Sequence, residues 1–442
     1  MSNTNTSKSI FSRLDGVTLA LYLALVCIGL LAVFSVEYRR TDPSIFMMSK
    51  SHMRQAIWLG ISLFVGLLIV WTDSKFFSSV AYLSYTVGLF LLAITIFAGV
   101  DVKGSHSWLG VGSVRFQPGE VCKIFTSLAI AKFLSSPDTN FKTLKHRLIG
   151  VAMALGPALL IILQKETGLA LVYFCFLLVM YREGLPNAIL VIGFTAIALT
   201  LATLLVDKTI LLVIITAIAI LIGILMRWEF RRDNIFRLIL IGSWLIAVMF
   251  SQFIVPFAFK NVLQKHQIER IYSTLGQDVP ESYLKPSQLG EERGENTSDY
   301  NVKQSKIAIG SGGFWGKGFL NGTSTKNEFV PEQNTDFIFC AIGEQFGFFG
   351  SAILILIYVS LMMRILFIGE RQRSSFSRIY AYCVASILFF HFAINISMTI
   401  GIAPVIGITL PFLSYGGSSL LSFSILIFIL IRLDADRQVL IR

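Results

Sequence analysis

Long apolar runs alternate along this chain with short polar connections. Runs able to cross, or nearly cross, a hydrocarbon core of roughly 30 Å lie at 17–36, 55–72, 78–99, 119–134, 147–163, 168–181, 187–206, 209–226, 235–257, 337–363, 379–403 and 416–432. The pattern predicts an all-α polytopic integral membrane protein with ten to twelve transmembrane helices. Two short runs, 147–163 and 168–181, flank Gln164-Lys165-Glu166-Thr167-Gly168 and read either as a hairpin or as one broken helix. The first run begins near Val17 with no small-residue cleavage pattern after it, so it reads as a first spanning helix rather than a signal peptide.

Two segments break the alternation. Residues 258–336 form a long polar stretch, which in a compact domain is usually functional. Its middle, Gly276 to Asp299, is rich in Pro, Glu, Gly and Ser; its end, Gln304 to Asp336, is Gly-rich and is expected to pack against the membrane domain. The second segment runs from Gly401 to Ser419, where Pro404, Pro411 and several glycines interrupt an apolar run. Non-helical backbone at membrane depth survives only where protein or water satisfies it, so a re-entrant segment lining a cavity is expected. These breaks divide the chain into a tail 1–16, membrane regions 17–257 and 337–432, one large extracytoplasmic loop 258–336, and a tail 433–442.

Composition supports this and excludes much else. Only 14% of residues are charged and 55% are hydrophobic, against about 25% charged in soluble proteins. Soluble enzymes and nucleic-acid binders are therefore excluded, and the net charge of +11 implies membrane lipid rather than nucleic acid as the partner. Lys142, Lys145, Arg227, Arg231, Arg364 and Arg371 are among the basic residues concentrated in alternate connections, which predicts both termini in the cytoplasm. The five cysteines show neither disulfide nor metal spacing and read as apolar packers.

Several polar residues stand where lipid makes them costly. Glu120 and Lys123, three apart at the start of a span, share one helix face and either pair or meet an aqueous cavity. Gln164, Lys165 and Glu166 lie between two short spans. Trp108, between glycines, fits an interfacial aromatic belt. Gly310-Ser311-Gly312-Gly313-Phe314-Trp315-Gly316-Lys317-Gly318 lacks the spacing of a nucleotide-binding P-loop but offers N–H groups and a cation to an anionic headgroup. Asp336 stands where the loop re-enters the bilayer, with Glu332 four residues before it. It reads either as a general base made more basic by partial desolvation or as a helix cap.

These motifs resemble the SEDS (shape, elongation, division and sporulation) family. The resemblance is carried by four blocks in order. They are Trp108-Leu109-Gly110 with Phe116-Gln117-Pro118-x-Glu120-x-x-Lys123; Gln304-Ser305-Lys306-Ile307-Ala308 running to Gly318; Phe329-Val330-Pro331-Glu332-x-x-Thr335-Asp336-Phe337; and Pro411-Phe412-x-Ser414-Tyr415-Gly416-Gly417-Ser418-Ser419. Gln304 to Ala308 and Lys265-His266-Gln267-x-x-Arg270-Ile271 look closer to the elongation-type members. The family's Gln-Pro-Asp-x-Gly stands here as Gln164-Lys165-Glu166-Thr167-Gly168, and His106-Ser107 stand where arginines usually precede the tryptophan.

The resemblance implies ten spans and a peptidoglycan glycosyltransferase of the bacterial inner membrane. Such an enzyme polymerises lipid II beside a class B penicillin-binding protein, the transpeptidase that cross-links the strands. It assigns the essential loop aspartate to Asp336, the loop tryptophan to Trp108 and the intramembrane pair to Glu120 and Lys123. Lys306, Lys317, Glu332, Ser414 and Ser418 join them as candidate substrate-binding residues. The chemistry expected is an inverting transfer with a polyprenyl pyrophosphate leaving group, its phosphates met by cations and glycine amides and the acceptor hydroxyl deprotonated by Asp336. No protein metal cage is expected, although a divalent cation (Mg²⁺ or Mn²⁺) could bridge Asp336 and the pyrophosphate. The alternatives are a lipid II flippase using the same polar groove, a division-type polymerase, and a scaffold for which Asp336 is dispensable.

Overall fold

The structure is a computed structural model and describes residues 13–39, 44, 47–102, 105–111, 114–263, 265–275, 277, 279–280 and 297–437. Most of the stretch Gly276–Asp299 therefore lies outside the described residues. The chain forms two compact units, Met1–Leu185 with Asn301–Arg442, and Pro186–Tyr300.

In chain order the principal helices are α1 (Gly16–Glu37), α2 (Ser51–Trp71), α3 (Ala81–Ala98), α4 (Pro118–Ser135), α5 (Leu144–Leu163) and α6 (Thr167–Arg182). There follow α7 (Asn187–Leu205), α8 (Lys208–Leu225), α9 (Asn234–Asn261), α10 (Lys265–Thr274), α11 (Thr297–Ser311), α12 (Ile338–Glu370), α13 (Ser375–Thr399) and α14 (Gly417–Ala435). Among the described residues ten of these are long and apolar enough to cross a membrane. The other two expected spans are α4, which carries Glu120, Lys123 and Lys132, and α6, which is short. The 147–181 region is two helices joined by a turn, with Lys165 at φ 65°.

Local chemistry sets the helix ends. Asp15 caps α1 by accepting from the Thr18 amide at 2.9 Å, and Pro118 opens α4 where no N–H is needed. In α9, π-helical turns at Phe250–Ile254 and Ala258–Val262 flank Pro256, which cannot donate to the helix ladder. Within α12, Gly347 at φ 65° breaks the helix, and the 312–318 loop bonds to the broken turn: Lys317 N donates to Glu344 O at 3.1 Å, and Phe348 N to Gly313 O at 2.9 Å.

In the larger unit α14 is buried along almost its whole length. Tyr22 of α1 shares a 2.8 Å hydrogen bond with Ser424 of α14. At the end of the bundle away from Asp336, Arg371 pairs with both Asp15 and Asp434, and Arg364 with Asp15, which ties α1, α12 and α14 together. Between α3 and α4 lies a small antiparallel sheet, β1 (Val100–Val102), β2 (Ser105–Val111) and β3 (Val114–Phe116), with Val100 opposite Trp108 and Gly110 opposite Arg115. The smaller unit has its own core of Leu204, Val255, Phe259, Ile268 and Tyr272. The Trp244 indole of α9 donates to Thr216 of α8 at 3.2 Å.

Candidate active site

Asp336 ends a run of tight turns directly before α12. Thr335 N and Phe337 N both donate to the Glu332 carbonyl, at 3.1 and 3.2 Å, and Glu332 itself takes φ 56°. The cap position of α12 is Phe337, which places Asp336 one residue before it. Asp336 is half-buried.

The turn run is fastened to the irregular segment between α13 and α14. Ser414 Oγ donates to the Thr335 carbonyl at 2.6 Å and accepts from Leu410 N at 2.8 Å, and Tyr415 N donates to Asn334 O at 2.8 Å. Buried Asn395 of α13 donates both to the Asp336 carbonyl at 2.8 Å and to the Ile408 carbonyl at 2.7 Å. Between these anchors Gly407, at φ 80°, passes beside the carboxylate; a Cβ there would lie 3.4 Å from Asp336 Oδ2.

The Gln164–Gly168 turn reaches the same place. A Cβ on Gly168 would come 2.6 Å from the Ile406 carbonyl, so only glycine permits this approach. Glu166 Oε2 accepts from Ser105 and Ser107 of β2, at 2.7 and 3.0 Å, and His106 N donates to Gln164 O at 3.1 Å. The strand carrying Trp108 is thereby docked onto the turn, and the turn onto the segment beside Asp336. Beneath them, Glu120 Oε2 and Lys123 Nζ are buried and 2.8 Å apart, an ion pair not aligned as a hydrogen bond. Lys123 also lies 2.8 Å from His391 Nε2 of α13. A bundle of spanning helices thus presents a carboxylate amid three irregular segments and above a buried charge pair.

Comparison with known proteins fits this arrangement. The family model described as cell cycle protein, covering FtsW, RodA and SpoVE, matches residues 16–239 and 188–439. The chain belongs to this family. Within it, the chain is 30% identical over 410 residues to the Escherichia coli (strain K12) peptidoglycan glycosyltransferase MrdB, covering 92% of this chain and 90% of that protein. It is 28% identical to the Treponema pallidum peptidoglycan glycosyltransferase RodA, over 92% of this chain and 94% of that one. A chain solved in a peptidoglycan synthase complex that coordinates polymerization and crosslinking has the same fold, with TM-score 0.68, 23% identity and coverage of 96% and 99%.

Within this member of the family, the remaining expected residues separate. Ser418 is buried in the first turn of α14, next to Ser419, whose Oγ is 3.1 Å from Thr409 Oγ1. Lys306 of α11 is exposed and lies across Gly401 just past the end of α13, where Ser305, also of α11, donates to the Thr399 carbonyl at 2.9 Å. Lys317 pairs with buried Glu344 at 2.8 Å. Glu344 also accepts from the Ser324 and Thr325 amides at 2.7 and 2.9 Å, which caps the short helix Thr323–Lys326. Sequence reasoning missed His391 and Asn395. Both are polar residues in an apolar span, four apart, and the cost criterion that singled out Glu120 and Lys123 applies to them equally.

Proposed function

We propose that this multi-pass membrane protein is a peptidoglycan glycosyltransferase of the elongation type, polymerising lipid II at the outer face of the bacterial inner membrane with both termini cytoplasmic. The observation that carries the reading is the half-buried Asp336, its backbone carbonyl held by Asn395 and the two residues before it held by Ser414 and Tyr415, with its carboxylate beside Gly407. That is the placement a general base needs: fixed, partly desolvated, and with small backbone opposite it. Asp336 takes the proton of the acceptor hydroxyl as its oxygen attacks the anomeric carbon of the donor, and the bond to the polyprenyl pyrophosphate breaks. One displacement inverts that centre.

Trp108 and Glu166, on the docked strand and turn, form the rim that a saccharide would meet. Exposed Lys306 is the candidate cation for phosphate charge, whereas the amides of Gly312, Gly313, Gly316, Lys317 and Gly318 already donate to backbone carbonyls. Lys123 is enclosed and holds Glu120 and His391, so in this conformation it supports the site from below. Among the described residues no three His, Cys, Asp or Glu converge. A divalent cation at Asp336 would draw on the oxygens of the substrate phosphates and water. The chain's likeness to a component of a polymerizing and crosslinking complex supports a class B penicillin-binding protein as its partner.

The test is purified full-length protein with fluorescent lipid II. Polymer is expected, with Asp336→Asn folded and reduced by about 10²–10⁴-fold, the usual contribution of a general base. Polymer from Asp336→Asn at the wild-type rate removes that residue from the chemistry. Transbilayer movement of lipid II without polymer replaces the reading with a flippase.

A further inference from the structure

The Glu120–Lys123 pair does not end at its own helix. A charged lysine has three N–H donors and no acceptor, so the nitrogen 2.8 Å from Lys123 Nζ, His391 Nε2, presents a lone pair. The imidazole proton then belongs on Nδ1, which lies 3.3 Å from the Thr409 carbonyl oxygen. One tautomer, assigned from its partners, satisfies both ring nitrogens. Phe423 closes the remaining side, with its ring centroid 4.6 Å from Lys123 Nζ and 4.8 Å, edge to face, from the imidazole. One helical turn along α13, Asn395 divides its amide between the carbonyls of Ile408 and Asp336. Adjacent residues 408 and 409 are therefore gripped by two side chains of one helix, one leading to the buried charge pair and the other to Asp336.

We infer that His391 is a positioning residue for the transferase site: as a neutral imidazole it links the fixed Glu120–Lys123 pair to residues 408–409, and through Asn395 that grip sets the position of Asp336. His391 touches no reacting atom. Its removal leaves Lys123 short of an acceptor and Thr409 short of a donor, so the 400–416 segment loses the anchor opposite Asn395. The inference uses the polymerase reading only for its activity readout.

The experiment compares the full-length chain with His391→Leu and His391→Phe, either of which removes the acceptor, and with His391→Gln, whose amide can both accept and donate. In lipid II polymerisation the apolar variants are expected to lose about 10- to 100-fold in kcat with KM within about twofold, and His391→Gln to recover most of the loss. Combining His391→Leu with Lys123→Met should cost no more than the worse single change, because both cut one chain of contacts. Hydrogen exchange should quicken across 405–410 in the apolar variants and not in His391→Gln. An apolar variant with wild-type kcat, a His391→Gln as poor as His391→Leu, or losses that multiply in the double variant overturns the assignment. If the wild type makes no polymer, the polymerase reading fails by itself. The exchange measurement then decides: faster exchange in the apolar variants supports the link, and unchanged exchange overturns it.

Discussion

At the scale of single residues, the site depends on what is missing from Gly407 as much as on what Asp336 supplies. An L-residue at φ 80° costs roughly 1–2 kcal/mol, and the added methyl would stand in contact with the Asp336 carboxylate, 3.4 Å from Oδ2. Gly407→Ala is therefore expected to fold with a modestly lowered Tm and to lose activity by at least about tenfold, since small misplacements of a catalytic group are costly. Lipid II polymerisation together with a thermal melt in detergent checks this; wild-type kcat in a folded Gly407→Ala would show that the carboxylate works from elsewhere. The same scale shows what the sequence concealed. Glu120 and Lys123 declare themselves by a spacing of three within one helix. Lys123 and His391 are 268 positions apart, and only the packing of α4 on α13 joins them.

At the scale of elements, the apolar runs were legible because lipid demands an unbroken length of hydrophobic residues, and each of the ten helices long and apolar enough to span falls on a predicted run. The sheet of β1, β2 and β3 was not, because strands of three to seven residues leave too little alternation to stand out in a loop. The break in α12 was hidden too, since a glycine in an apolar run reads as close packing until its φ is known. That break gives the 310–326 loop its mooring, and it changes how Lys317 is to be tested. A lysine that meets substrate and one that neutralises buried Glu344 both look like a cation in a glycine-rich loop. Removing one partner of a buried pair is costly, about 3–5 kcal/mol when both are fully enclosed, and less here because Lys317 is partly exposed. Lys317→Met is expected to lower stability and to speed proteolysis within 310–326, with KM for lipid II nearly unchanged in the protein that remains folded. A raised KM with unchanged protease resistance would instead place Lys317 at the headgroup.

At the scale of the whole molecule, the count of crossings decides which face of the membrane meets the substrate. The stretch 188–239 lies in both segments that match the family model. The compact unit Pro186–Tyr300 contains α7, α8 and α9, three apolar helices within it. If two of these are additional to a ten-span plan, the extra pair returns the chain to the side it left, and the large loop keeps its outward face. With α4 and α6 counted, twelve crossings are expected, an even number that would leave both termini on one side. Single cysteines in a background lacking the five native ones test the parity directly. Asn321→Cys is expected to react with an impermeant maleimide in intact spheroplasts, and Asp138→Cys, between α4 and α5, only after permeabilisation. Labelling of both from the same side would mean that an odd number of the apolar helices between them does not cross; if Asn321→Cys reacts only after permeabilisation, Asp336 faces the cytoplasm, where the polymerase reading has no use for it.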